Sequence, residues 1–117
     1  MITVERIKEE FYDEARQQAN RLSYTMVNNL RLETPRLEKG ETVSINFKTI
    51  TEKLLKSDKE FIRKASEVIV GYIVTEYEAL GWKVKVIYLS PGAGEKVAVL
   101  QFQYDMSKET ENIDISE

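Results

Sequence analysis

Trp82-Lys-Val-Lys-Val-Ile-Tyr-Leu89, answered across Ser90-Pro-Gly-Ala-Gly94 by Val97-Ala-Val-Leu-Gln-Phe-Gln-Tyr104, is the stretch that decides the fold of this chain. Both arms alternate with the two-residue period of a strand, and the Pro/Gly-rich segment between them reads as a turn, so the pair predicts a β-hairpin. Trp82, Val84, Val86 and Tyr88 share one face with Ala98, Leu100, Phe102 and Tyr104, which makes it a core face. The opposite face is polar at one end, with Lys83, Lys85, Gln101 and Gln103, but carries Ile87, Leu89, Val97 and Val99 near the turn. Such an apolar patch on a small protein calls for a cover, either another element of the chain or a partner.

Upstream of the hairpin, Gly81 ends a helical pattern that begins after Ser57. Ser57-Asp-Lys-Glu60 has the form of a capping box. The stripe Phe61, Ile62, Ala65, Val68, Ile69, Tyr72, Ile73, Tyr77 and Leu80 then predicts one helix over 58–80, with Gly81 at C′. Gly71, inside that helix, reads as a close-packing position. The link to Trp82 is so tight that the helix must fold back on the sheet it feeds.

A second long helix is predicted over 4–32. Val4, Ile7, Phe11, Ala15, Ala19, Leu22, Met26 and Leu30 recur with a mean step of about 3.7 residues, nearer a straight helix than a coiled coil. Thr3 is a fair N-cap. This helix runs on the order of 40 Å against about 27 Å for an eight-residue strand, so one end must overhang the sheet. Tyr24 and Val27 broaden the apolar stripe in its C-terminal half, so either that half overhangs and is a contact for another subunit, or the helix breaks near Asn28-Asn29 and the chain is a monomer.

Between the helices, residues 35–40 read as a connector. Thr42 to Phe47 alternates like an edge strand, and Ile50 to Lys56 suggests a short helix capped by Thr51. The sum is an α+β fold in the order α-β-α-β-β: a three-stranded antiparallel sheet with two long helices packed on it and a C-terminal β-hairpin. Residues 1–104 form one globular domain. Residues 105–117 are acidic and poor in core residues, the composition of a disordered tail.

Composition excludes more than it suggests. The 117 residues contain neither cysteine nor histidine. Disulfides, thiolate nucleophiles, Cys/His zinc sites and histidine-based triads therefore each lack a member. Pro91-Gly-Ala-Gly-Glu-Lys96 has ingredients of a phosphate loop, but strands flank it on both sides and no Ser or Thr follows Lys96. Glu76 and Glu78 stand two apart on a helix and do not converge. No catalytic or metal residues emerge and no cofactor is implied, so the expectation is a protein that is not an enzyme.

The formal charge of −3 implies no nucleic-acid partner, and no apolar run is long enough to span a membrane. The N-terminus lacks a signal-peptide pattern, so a cytoplasmic setting is expected. The leading reading is a protein-protein interaction protein, binding a host factor or itself as a homo-oligomer, most simply a dimer. Its contact residues are Ile87, Leu89, Val97 and Val99, or Tyr24 and Val27. The alternative is a nucleic-acid-binding accessory protein using the first helix and the Lys83/Lys85 face. A compact, Lys/Glu/Ile-rich chain without Cys or His resembles the small accessory proteins of bacteriophages and mobile elements of low-GC bacteria.

Overall fold

The computed structural model describes residues 2–92 and 94–104. The expected tail, 105–117, lies outside the described residues. The elements run α1 (Val4–Leu32), α2 (Thr34–Glu38), β1 (Val43–Asn46), α3 (Phe47–Thr51), α4 (Lys56–Lys64), α5 (Ser66–Ala79), β2 (Lys83–Leu89) and β3 (Val97–Gln103). The fold is α+β. The three strands form an antiparallel sheet in the order β1-β3-β2, so the edge strand β1 pairs with the second arm of the hairpin.

The register follows the alternation of the hairpin. Val84 lies opposite Phe102, Val86 opposite Leu100 and Tyr88 opposite Ala98, while β1 adds Val43 beside Phe102 and Ile45 beside Leu100. Leu100 and Phe102 are fully buried because β3 is central and its inner face meets the helices. There the core runs through Ala15, Ala19, Leu22, Met26 and Leu30 of α1 and Ile69, Val70, Ile73 and Tyr77 of α5. Burying a Leu- or Phe-sized side chain stabilises by about 1.5–3 kcal/mol, so this layer dominates the stability.

α1 is one unbroken helix, and the Thr3 hydroxyl accepts from the Arg6 N–H at 3.2 Å as the cap. Its overhang is at the end opposite to the one expected. Residues 2–10 are exposed, Ala15 is the first buried position, and Leu22, Met26 and Leu30 are docked in the core. Val4 and Ile7 therefore continue the buried stripe into solvent. The helix docks by the small Ala15 and Ala19 and by the large residues after them, and these lie toward its C-terminal end.

The helix expected over 58–80 is two helices. α4 starts at Lys56 with Leu55 at its N-cap and no side-chain cap, so Ser57 falls inside the first turn and the capping box does not form. At Ala65 the chain leaves helical geometry (φ −101°, ψ 13°) and changes direction. Asp58 lies across from Gln18 and Arg21, while Phe61 meets Phe11, so α4 runs back toward the start of α1. α5 then runs the same way as α1, with Tyr72 beneath Arg16 and Tyr77 opposite Ser23. A hydrophobic stripe continuous across Ala65 hid this turn.

Three shorter elements also differ from the sequence reading. Pro35 sits in the first turn of α2, where its missing N–H and preset φ are tolerated, so the connector is partly helical. The short helix after β1 is α3, which lies at Phe47–Thr51 rather than 50–56 and is capped not by Thr51 but by Asn46, whose side chain accepts from the Lys48 N–H at 2.9 Å. Leu80 is the C-cap residue of α5 and is exposed rather than part of its stripe.

The exit of α5 is a Schellman turn, as Gly81 suggested. Gly81 has φ +98°; its N–H donates to Glu78 O at 3.0 Å, and the Trp82 N–H donates to Tyr77 O at 3.1 Å. The accompanying hydrophobic contact is edge-to-face packing of Trp82 on Tyr77, centroids 5.9 Å apart. Gly71, by contrast, has no neighbour within 4 Å of where a Cβ would sit, so it is not a close-packing site.

The two glycines should respond oppositely. Gly71→Ala removes an entropic penalty and gains about 1 kcal/mol, whereas Gly81→Ala forces a left-handed residue and loses about 1–2 kcal/mol; urea unfolding midpoints measure both. A third expectation concerns Tyr77, whose phenol is pushed up to about 12 by burial and, secondarily, by the Glu76 carboxylate. The fold holds the proton more tightly than the unfolded chain, where the phenol ionises near about pH 10. Its contribution is therefore complete below about pH 10 and is lost as pH rises toward the folded value. Tyr77→Phe should cost about 1 kcal/mol at neutral pH through loss of the hydroxyl bond and should flatten the alkaline decline of the unfolding midpoint.

Candidate functional site

Among the described residues the helical layer covers one face of the sheet. Residues of inner parity other than Tyr88 and Tyr104 join the core, whereas those of outer parity, Ser44, Asn46, Lys83, Lys85, Ile87, Leu89, Val97, Val99, Gln101 and Gln103, do not. α1 therefore lies beside α5 and not across the Ile87 patch. Among the described residues no helix crosses the outer face.

On that face the pairing places Leu89 beside Val97 and Ile87 beside Val99, with Asn46 of β1 completing the second row. Lys85, Gln101 and Ser44 form the next row, followed by Lys83 and Gln103. Four aliphatic side chains thus adjoin at the tip and a polar patch lies behind them. Their exposure is graded by position. Val97, on the central strand, is 8% exposed, Ile87 and Val99 are half-buried, and Leu89, on the edge strand, is 49% exposed. Tyr24 and Val27 are also exposed, at 80% and 51%, but on α1, in the layer beneath the sheet. The structure brings the four hairpin residues together and leaves the two helix residues apart from them.

The turn is pinned from below. Lys48 Nζ of α3 donates to Glu95 Oε1 at 2.8 Å, and the hydrogen bond and charge of Glu95 hold the ammonium above its ordinary pKa. Glu95 in turn donates its N–H to Gly92 O at 3.2 Å, and Gly94 takes φ +75°. A carboxylate thus occupies the glycine loop that superficially suggested phosphate. Beside the tip an open cleft of about 870 Å³ lies between α3, the α4–α5 junction and the turn, lined by Phe47, Ile62, Val68, Val97 and Ala98 together with Lys59, Arg63 and Lys96. Within it, Thr51 Oγ1 donates to Lys48 O, so that hydroxyl closes a helical turn.

Elsewhere the polar side chains hold elements together. The Glu76 carboxylate accepts from the Ser23 hydroxyl at 3.4 Å, joining α5 to α1. Among the described residues no group of three metal-ligating side chains converges, and no helix is long and apolar enough to cross a membrane. Lys83 and Lys85 point outward, while the rings of Tyr77, Trp82, Phe102 and Tyr104 pack on one another along the inner side. Bases could not stack on those rings while the lysines held their phosphates, which is the geometry a single-strand binder needs.

No protein-family model matches the chain, and no curated protein or solved structure matches it either.

A substitution pair separates the two faces of the hairpin. Leu89→Lys should leave the unfolding free energy within about 0.5 kcal/mol of the parent, whereas Leu100→Ala, on the inner face of the central strand, should cost about 2–5 kcal/mol. Equal losses in chemical denaturation would mean that the outer face is buried within the monomer.

Proposed function

We propose that this chain is a non-enzymatic protein-binding protein whose contact surface is the outer face of β2 and β3. The observation that carries the reading is the one-sided cover of the sheet: two helices pack on the inner face, and among the described residues no helix lies over the aliphatic tip of the outer face. A patch rimmed by Lys85 and Gln101 has the apolar centre and polar border of a protein contact. In keeping with its composition, we place the protein in the cytoplasm, as an accessory product of a bacteriophage or mobile element that binds a host factor or itself.

Affinity capture tests this with two baits, the parent chain and an Ile87→Thr/Leu89→Lys double variant, with circular dichroism showing both folded. The parent should retain a protein, or further copies of itself, that the variant loses by at least about tenfold, a change of about 1.4 kcal/mol in binding. Identical retention by both baits would remove the outer face from the function.

A further inference from the structure

The outer-face reading leaves the nature of the partner open, and the edge of β2 narrows it. β2 is seven residues long and pairs along its whole length with β3, while its other side pairs with no strand among the described residues. That side presents a row of backbone N–H and C=O groups, which folded proteins usually guard with charge, proline or a bulge. Here Lys83 and Lys85 guard the first half only. Val86-Ile-Tyr-Leu89 carries no charge, and Tyr88 and Leu89 are 45% and 49% exposed. The other edge differs. β1 has four residues and turns directly into α3, where the Asn46 side chain caps the Lys48 N–H.

Resting on the function proposed above, we infer that the partner is a second copy of this chain, its β2 paired antiparallel to β2 across a two-fold axis at Ile87, giving a continuous six-stranded sheet. The lysines exclude the registers that set them on one another, and this one keeps them apart. With Ile87 opposite itself, Val86 faces Tyr88 of the second copy and Lys85 faces Leu89, over which its methylene stem can lie. The two Lys85 ammonium groups then attach at positions about 13 Å apart along the strands, beyond the screening length of about 8–10 Å. A parallel in-register pairing would instead set Lys83 on Lys83 and Lys85 on Lys85, and like charges directly opposite are destabilising. An antiparallel pairing centred on Lys85 meets the same objection at its axis.

The Ile87 register also joins the two outer patches into one aliphatic strip across the axis. It consumes the long edge of each copy and leaves only the short β1 edges. The assembly closes as an isologous dimer and does not grow into a filament.

The native chain has no cysteine, so single-cysteine variants report pairing without interference. Sedimentation equilibrium on the full chain should show a dimer at micromolar concentration. Ile87→Lys sets an ammonium against its own copy on the axis and should weaken the dimer by at least about tenfold, with the circular dichroism spectrum unchanged. With diamide as oxidant, Ile87→Cys should form a disulfide between copies and Lys83→Cys should not.

A monomer at all accessible concentrations, a dimer indifferent to Ile87→Lys, or Lys83→Cys cross-linking as readily as Ile87→Cys would each overturn the inference. If the chain is monomeric yet the parent bait still captures a protein that the double variant loses, self-pairing fails and the outer-face function stands. If that difference is also absent, both fall. Should Ile87→Lys fail to fold, the two cysteine variants decide alone.

Discussion

The packing of Tyr77 at the end of α5 is the constraint on which the rest of the molecule depends. Its hydroxyl donates to Ser23 O of α1 at 3.1 Å, its ring meets Phe102 of the central strand at 5.1 Å, and Trp82 at the head of β2 packs against it at 5.9 Å. One side chain thus touches both long helices and the hairpin. The Schellman turn at Gly81 makes this possible by bringing Trp82 back onto the helix it has just left. With α5 held in that way, the inner face of the sheet is committed to the helices, and among the described residues no helix is left for the outer face.

The second constraint is the change of direction at Ala65. It lets α4 reach back along α1, where Asp58 accepts from Gln18 and Arg21 and Phe61 packs on Phe11. Exposed ion pairs of this kind contribute little individually, about 0–1 kcal/mol, so the apolar contacts beneath them set the position of α4. Together α4 and α5 hold α1 by its middle and C-terminal half. That is why the N-terminal turns, with Val4 and Ile7, project beyond the domain.

The candidate site was legible in part. Alternation in two adjoining strands placed Ile87, Leu89, Val97 and Val99 together on the second face, because a period of two leaves no other arrangement once the core face is known. Their unequal exposure was not legible. Val97 is nearly buried and Leu89 half-exposed because Val97 lies beyond the end of β1, beside α3, which packs on β3, whereas Leu89 stands on the edge strand. Tyr24 and Val27 are exposed on α1, but the half of the helix that carries them is docked on the core rather than overhanging it, because a broad apolar stripe does not say which end of a helix is held.

By itself the sequence determined the features set by local geometry: the long helix from a step of about 3.7 residues, its Thr3 cap, the glycine exit of α5, the hairpin and the division of its two faces. Tertiary structure alone decided the order of the strands, the turn at Ala65, which end of α1 overhangs, and that among the described residues no helix covers the outer face. The physical reason is common to all four. Periodicity states which side of an element is apolar, but the position of a helix along its neighbour is set by contacts between residues far apart in the chain, such as Tyr77 with Ser23 and Asp58 with Arg21.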